Sequence, residues 1–322
     1  MKSFNWGILG CGSIAHRFAK SMKPVSGGHL LACASRTQGR ASSFAEEHSI
    51  PQAYTSYEEL AADPRIDAIY VATTHNFHCE NTLLALEHGK HVLCEKPLAT
   101  NAREASQMIE LARQKNLFLM EAMWTRFLPA IQEAKARISA GSIGTLKCLR
   151  ADFCIRAPFD PNGRLFNPDL AGGALLDTGI YPLSLASYFF GAPPKSLTAL
   201  ADIGSTGVDE QTAIILKYEQ HQIAILSASV SSASANRAEI VGTKGRLTIP
   251  VNFLSAREFV IALEGDSPTQ FNFPFDDATA FSFEIEEVHR CLREGLLESP
   301  TMPLGETLQL AETMDRVLEL VK

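Results

Sequence analysis

The sequence has few features suited to binding nucleic acid or crossing a membrane. Among its 322 residues, 36 acidic side chains outnumber 29 basic ones, giving a formal net charge of −7 at pH 7. Nucleic-acid-binding domains are usually basic, so nucleic acid is not an expected partner. An uncharged stretch at residues 178–194 is interrupted by glycines and prolines, which argues against a membrane-spanning helix. The first residues lack a signal-peptide pattern, because Gly10 and Gly12 interrupt the apolar run.

Cysteines are few, odd in number and scattered, seven in all without a Cys-x-x-Cys pair. This argues against a disulfide framework and a zinc knuckle, and no metal centre is predicted. A reducing cytoplasm is the expected location. With 46% hydrophobic and 20% charged residues, the composition is that of a globular protein long enough for one large or two medium domains.

The first third of the chain alternates short apolar segments with amphipathic ones. The predicted strands are residues 4–9, 30–35, 68–72, 91–94 and 117–121. The predicted helices are residues 14–22, 41–47, 57–60, 78–88 and 102–114. Such alternation predicts an α/β domain with a parallel sheet and right-handed crossovers.

From about residue 144 the chain has consecutive segments with strand character. The predicted strands are residues 145–155, 196–203, 212–218, 223–231, 238–241, 246–249 and 258–263. Consecutive strands predict a mostly antiparallel sheet, and the glycines of residues 242–245 predict a hairpin. Helices at residues 175–189, 283–294 and 304–321 are expected to flank this sheet. The prediction is therefore two domains, residues 1–122 and an α+β domain at residues 123–322.

A glycine-rich turn follows the first predicted strand and opens the first helix. It reads Gly10-Cys11-Gly12-Ser13-Ile14-Ala15. Gly10 permits the tight turn, Gly12 lets the backbone approach a pyrophosphate, and Ala15 allows helix and strand to pack closely. The helix N-terminus then offers free N–H groups and positive potential to the phosphates. This context predicts a Rossmann dinucleotide-binding domain, with a simple glycine-rich turn as the alternative.

The end of the second predicted strand indicates which dinucleotide is bound. An acidic residue there would bond the ribose 2′-hydroxyl and repel a 2′-phosphate. This chain has Arg36, with Thr37 and Arg40 nearby, so a pair of guanidinium groups could bind the 2′-phosphate. NADP is therefore favoured over NAD, the alternative being that both arginines are only solvated.

Two segments carry candidate catalytic residues. Lys96 lies after the fifth predicted strand, at the edge of the sheet where α/β folds bind ligands, and its ammonium would stabilise negative charge on oxygen. Asp177 and Tyr181 are four residues apart and would share a helix face. A tyrosine near a lysine can exchange a proton with a substrate hydroxyl. Considered alone, Lys96 would more commonly be a solvated surface lysine, and Tyr181 a packed aromatic residue without a catalytic role.

These motifs, in this order, resemble the glucose-fructose oxidoreductase, inositol dehydrogenase and MocA family. Residues 117–127, 171–177, 242–245 and 298–300 resemble its branch of dimeric dihydrodiol and sugar dehydrogenases. The resemblance implies an NADP-dependent enzyme in which Lys96 and Tyr181 form the catalytic pair and Asp177 supports them. Many members have histidine in place of Tyr181, so a polyol such as inositol is a less favoured substrate.

The resemblance also implies further contacts around the nicotinamide. They involve Thr73 and His75 after the fourth strand and Glu95 beside Lys96. A loop histidine without such a role is the alternative for His75. Trp124 and Phe127 could form an apolar wall for the substrate or belong to the core.

The activity expected is hydride transfer between the nicotinamide and a secondary or anomeric alcohol of a trans-dihydrodiol or aldopyranose. Two alternatives remain open: a nicotinamide-dependent glycoside hydrolase of the same fold, and a nicotinamide-binding sensor without chemistry. An open face of the antiparallel sheet would need to be covered, and related proteins use it to dimerise, so a homodimer is expected.

Overall fold

Residues 2–321 are described by the structure, a computed structural model. The chain forms two compact units. The first comprises the chain up to Trp124 together with Asp276–Leu308, and the second comprises Thr125–Phe275 and the chain from Gln309 onward. The boundary predicted after residue 122 lies two residues before the end of the first segment.

Parallel strands form the sheet of the first unit. Its elements up to Ala122 are β1 (Phe4–Leu9), α1 (Ser13–Met22), β2 (Gly28–Ala34), α2 (Arg40–His48), β3 (Gln52–Tyr54), α3 (Tyr57–Ala62), β4 (Ala68–Val71), α4 (His78–Glu87), β5 (His91–Glu95), α5 (Ala102–Lys115) and β6 (Leu119–Ala122). The strand order is β3-β2-β1-β4-β5-β6, the order of dinucleotide-binding α/β domains. The order reverses at β1, so a crevice for a ligand lies outside the carboxyl ends of β1 and β4. The predicted Rossmann architecture is confirmed.

A second sheet of eight strands dominates the second unit. The elements here are α6 (Pro129–Ser139), β7 (Leu146–Cys154), a π-helix (Leu175–Gly179), α7 (Ile180–Phe190), β8 (Ser196–Ile203), β9 (Asp209–Lys217), β10 (Ile223–Ser229), β11 (Ala238–Gly242), β12 (Gly245–Ile249), β13 (Glu258–Leu263) and β14 (Thr269–Asn272). The order is β14-β13-β12-β11-β7-β10-β9-β8, with β7 and β10 parallel and the other neighbours antiparallel. The mostly antiparallel sheet and the hairpin between β11 and β12 are confirmed.

Three elements lie outside the sequence predictions. Strands β3 and β14 are only three and four residues long, too short for an alternating pattern to stand out. Helix α6 buries two alanines and two isoleucines, namely Ala130, Ile131, Ala134 and Ile138. Alanine at two of these four positions adds little hydrophobic contrast, so the helical period is weak in the sequence.

Helices α8 (Ser282–Glu294) and α9 (Leu304–Val321) complete the chain. The prediction that α8 flanks the second sheet is wrong, because α8 belongs to the first unit. There the indole Nε1 of Trp6 donates a hydrogen bond of 3.0 Å to Nε2 of His289, and the Phe4 and His289 rings lie 5.0 Å apart. The buried residues of α8 thus pack against β1, a partner that its apolar pattern does not specify. Among helices within residues 2–321, none combines the length and apolar character needed to cross a bilayer.

Candidate functional site

The turn between β1 and α1 adopts a conformation suited to a phosphate group. Gly10 has φ +93°, and a Cβ there would lie 2.7 Å from the carbonyl oxygen of Ala72. Gly12 is the N-cap residue of α1, and a Cβ on it would meet nothing within 4 Å. Ala15 is fully buried, as close packing between helix and sheet requires. The backbone at Gly12 and the first turn of α1, including Ser13, is thus open to a ligand.

A groove of about 810 Å³ adjoins this turn. It is bounded by the glycine turn, by the loop after β2 and by the facing sides of α1 and α2. Of the residues predicted to bind the cofactor, Gly12, Ser13 and Arg40 line it, together with Thr37. Backbone N–H groups at a helix N-terminus and an exposed guanidinium are suitable donors for phosphate oxygens. These residues therefore fit the pyrophosphate and the 2′-phosphate of a dinucleotide.

Arg36 has a different setting from Arg40. Its guanidinium lies 4.4 Å from the ring centroid of Phe77 and 5.2 Å from that of Tyr57, while the side chain as a whole is exposed. Cation–π contact with the two rings orients the guanidinium, which has five N–H donors. Arg36 thus keeps donors available for an anion at the end of β2.

The segment around Lys96 is held by carboxylates on neighbouring strands. The Tyr70 hydroxyl donates a hydrogen bond to the Glu95 side chain, which points into the interior, and burial raises the pKa of that carboxyl group. The Leu98 N–H donates to Glu121 Oε1 over 2.9 Å. Lys96 is half-buried between these anchored positions. Because the Glu95 carboxyl group is engaged internally, its predicted contact with the cofactor stays a prediction.

A buried histidine joins the loops that follow β4 and β5. The two ring nitrogens of His78 lie 2.8 Å from the Pro97 carbonyl oxygen and 3.1 Å from that of Thr73. The His75 ring packs edge-on against it, with centroids 5.6 Å apart. Thr73, His75 and Lys96 are therefore carried by two loops that His78 links at the carboxyl edge of the sheet.

The two predicted aromatic wall residues belong to different units. Trp124, in the first unit, is buried with its ring centroid 5.3 Å from that of Phe281 and the Arg17 guanidinium 4.9 Å from it. Phe127 is buried in the second unit. Both rings are buried, as packed aromatic residues are, so a role in substrate binding stays a prediction for both.

In the second unit, Asp177 and Tyr181 lie on consecutive helices of different type. Asp177 is part of the π-helix and Tyr181 is in the first turn of α7. The Asp177 carboxylate accepts a 2.7 Å hydrogen bond from Arg164 Nη1, and only 7% of its side chain is exposed. The buried Tyr181 ring packs edge-on against Phe153 at 5.3 Å. The helix predicted over residues 175–189 is present, and its first five residues form a π-helix rather than an α-helix.

A second aspartate holds the π-helix in place. Asp209 Oδ2 accepts hydrogen bonds from the Leu175 N–H at 2.7 Å and from the Thr212 hydroxyl at 2.6 Å. A Cβ on Gly173, which has φ +117°, would lie 2.2 Å from Asp209 Oδ1, so glycine is needed there. Neither Asp209 nor Arg164 was singled out from the sequence, because their partners lie 34 and 13 residues away with no local motif to link them.

Comparisons with known proteins agree with this architecture. Residues 4–123 match the model described as an oxidoreductase family with an NAD-binding Rossmann fold, and residues 131–248 match the GFO/IDH/MocA C-terminal domain. A trans-1,2-dihydrobenzene-1,2-diol dehydrogenase from Xenopus tropicalis is 40% identical over 98% of this chain and 97% of its own length. The enzyme of the same name from Homo sapiens is 36% identical over 99% and 97%.

A comparison with solved structures also finds similar oxidoreductases. A 3-ketoreductase from Actinomadura kijaniata, in complex with NADP and TDP-benzene, has a TM-score of 0.88 at 28% identity and covers 100% of this chain and 98% of its own. These relatives are dehydrogenases and reductases, which favours hydride transfer over glycoside hydrolysis or a sensor without chemistry. The chain belongs to the GFO/IDH/MocA family of NAD(P)-dependent oxidoreductases.

Proposed function

We propose that the protein is an NADP-dependent dehydrogenase of trans-dihydrodiols or aldopyranoses. The main support is the 40% identity to trans-1,2-dihydrobenzene-1,2-diol dehydrogenase along nearly the whole chain, both units included. The groove lined by Gly12, Ser13 and Arg40 supports a phosphorylated dinucleotide as cofactor. The basic residues at the end of β2, where an NAD-specific domain would carry an acidic one, favour NADP.

The proposed chemistry divides between the cofactor and three side chains. When bound, the nicotinamide would supply the hydride acceptor for oxidation and the hydride donor for reduction. The Tyr181 phenol takes the proton of the substrate hydroxyl during oxidation and supplies it during reduction. The Lys96 ammonium favours the phenolate by its positive charge. The ion pair with Arg164 orients the Asp177 carboxylate, so Asp177 acts as a fixed acceptor rather than as a proton carrier.

A coenzyme and substrate screen tests this proposal. The purified protein is incubated with NADP⁺ or NAD⁺ and a panel of arene trans-dihydrodiols, xylose and glucose, while near-ultraviolet absorbance follows the reduced nicotinamide. We expect turnover with NADP⁺ on at least one diol or aldose and little turnover with NAD⁺. Tyr181→Phe is the control for background reduction. Full NADP⁺ binding without turnover on any substrate, or hydrolysis of a chromogenic glycoside instead, would contradict the proposal.

We further propose that two chains pair through the second sheet. One face of β8, β9 and β10 carries exposed apolar side chains, of which Leu200 is 80% exposed, Ile215 46% and Ile225 43%. In the sheet register Ile215 lies opposite Ile225, so the two belong to the same face. The alternate residues of β9, such as Ile214 and Leu216, are buried. A contiguous apolar sheet face of this kind is typical of a protein interface.

A cytoplasmic location is also proposed. All seven cysteines are free thiols. Free thiols persist in a reducing compartment.

A further inference from the structure

Helices α1 and α2 of the first unit bring three potential metal ligands together. His16 Nδ1 lies 2.7 Å from His48 Nε2 and 3.2 Å from Glu47 Oε1, and His48 Nε2 lies 3.5 Å from the same carboxylate oxygen. Among residues 2–321, this is the one group of three or more His, Cys, Asp or Glu side chains whose ligand atoms converge in this way. The cofactor chemistry proposed above does not use any of the three.

The chemical types of these ligands favour a particular class of ion. Two imidazole nitrogens and one carboxylate form a ligand set found in zinc sites that keep a fourth position open. Nitrogen ligands favour Zn²⁺ and its transition-metal neighbours over Mg²⁺ and Ca²⁺, which prefer oxygen. Nitrogens bound to one tetrahedral Zn²⁺ at about 2.0–2.1 Å lie about 3.3 Å apart. The imidazoles of His16 and His48 would therefore separate by less than about 1 Å to admit the ion.

The surroundings orient the rings and leave the cluster accessible. Phe44 packs edge-on against the His16 ring at 4.7 Å and lies 4.6 Å from the His48 ring. The His48 side chain is only 3% exposed, whereas those of His16 and Glu47 are 34% and 54% exposed. His16 and Glu47 also line the groove beside the glycine turn. Two ligands are thus positioned by packing, while solvent can reach the open coordination position.

We propose that His16, Glu47 and His48 bind one divalent transition-metal ion, with Zn²⁺ as the preferred ion and water as the fourth ligand. The sequence analysis predicted no metal centre, so this proposal departs from that prediction. His16 is separated from the other two ligands by about 30 residues, which matches none of the compact ligand spacings that identify zinc sites in a sequence. Only the packing of α1 against α2 brings the three together.

Metal titration of the tag-free, metal-free protein tests the proposal. Co²⁺ is added first, because tetrahedral cobalt has intense visible absorption bands, and Zn²⁺ is then used to displace it. We expect one Co²⁺ per chain with a tetrahedral spectrum and displacement by one equivalent of Zn²⁺. Binding of Mg²⁺ should be much weaker.

Substitutions identify the ligands. His16→Gln and His48→Ala should each lower Zn²⁺ affinity by about 100-fold or more, and Glu47→Gln should lower it with little effect on folding because Glu47 is exposed. His29→Gln, which alters an exposed histidine on β2, is the matched control and should bind Zn²⁺ as the wild type does. Circular dichroism and unfolding temperatures of the metal-free variants identify any change caused by misfolding.

Two results would overturn the site. One is the absence of a tetrahedral cobalt spectrum at one equivalent per chain. The other is wild-type Zn²⁺ affinity in folded His16→Gln and Glu47→Gln variants. Either result would leave the contact between His16 and His48 as a hydrogen bond alone.

Discussion

At the residue scale, the environments of Asp177 and Tyr181 favour different chemical roles for the two side chains. Asp177 is engaged by Arg164, so its carboxylate has a fixed orientation and a compensating charge. Tyr181 is constrained by edge-on packing of its ring against Phe153. Packing that orients a phenol favours its use as a directed proton donor and acceptor.

Replacing Tyr181 by phenylalanine tests this role. The ring would still pack against Phe153, so the fold and cofactor affinity should be retained, but the group that exchanges the proton would be lost. We expect the turnover number to fall by about 100-fold or more, measured from initial rates of NADPH formation. Tyr188→Phe, on the same helix, is the matched control and should retain wild-type turnover. Equal turnover in Tyr181→Phe and wild type would contradict the assignment.

The arginines at the end of β2 are predicted to set the coenzyme preference. Arg36→Ala and Arg40→Ala should each raise the Kd for NADP⁺ by about 10- to 100-fold, because each variant loses charge-assisted hydrogen bonds to the 2′-phosphate. The Kd for NAD⁺ should change little. Fluorescence titration of both coenzymes measures the difference, with the exposed Arg113→Ala on α5 as control. Equal weakening of the two coenzymes would mean that the 2′-phosphate is bound elsewhere.

At the element scale, the π-helix depends on an aspartate from another strand. Asp209 accepts one hydrogen bond from the Leu175 N–H at the start of this helix and one from the Thr212 hydroxyl on its own strand. Burial raises the pKa of its carboxyl group. Without this acceptor the buried Leu175 N–H would lack its partner. The position of Asp177 thus depends on a residue of β9 that takes no part in the chemistry.

Asp209→Ala should therefore affect both stability and turnover. We expect a loss of about 1–3 kcal/mol in the free energy of unfolding, the usual cost of leaving a buried donor unsatisfied. Turnover should fall while NADP⁺ affinity, which belongs to the first unit, is retained. Asp209→Asn keeps an acceptor and should have a smaller effect, and Asp202→Ala, at an exposed position on β8, is the neutral control. Urea unfolding and initial rates measure the two effects.

The packing of α8 predicts a dependence of stability on pH. His289 is fully buried, and burial lowers its pKa from the usual value of about 6.5 to about 4. Its Nε2 accepts the bond from Trp6, which requires that nitrogen to be unprotonated. Between these two pH values the unfolded chain binds a proton that the folded chain does not, so stability falls as pH decreases from about 6.5 towards 4.

A comparison with His289→Gln isolates this contribution. Between pH 7 and pH 5 the wild type should lose about 2 kcal/mol more of its free energy of unfolding than the variant. Tryptophan fluorescence suits the measurement, because both tryptophans, Trp6 and Trp124, belong to the first unit. If the free energy of unfolding fell equally with pH in the two proteins, protonation of His289 would not be the cause of the pH dependence.

At the scale of the whole molecule, the exposed face of the second sheet predicts self-association. Ile215→Lys would place a charge in the middle of the apolar face, and burying that charge without a partner would oppose association. By light scattering at micromolar concentration we expect a dimer for the wild type and a monomer for Ile215→Lys. Leu320→Lys, at an exposed position on α9, should remain dimeric. A monomeric wild type would exclude this interface.

Much of this architecture was predictable from short-range patterns. Strand and helix alternation, the turn from Gly10 to Ala15 and the hairpin after β11 each depend on neighbouring residues, whose periodicity and backbone preferences are visible in the sequence. The same holds for the candidate roles of Lys96 and Tyr181, which occur within recognisable segments. Their resemblance to one family agrees with the relatives found for the whole chain.

The amino-acid sequence by itself determined the dinucleotide-binding domain, the antiparallel second sheet and the candidate chemical residues. Only the tertiary structure decided that α8 packs in the first unit and that a π-helix precedes α7. It also decided that Asp209 binds the start of the π-helix, that Arg164 pairs with Asp177 within it, and that His16 contacts Glu47 and His48. Local periodicity encodes which element a segment forms. Which partner a buried face or a polar group contacts depends on the packing of segments that lie far apart in the chain. Local sequence patterns do not contain this information.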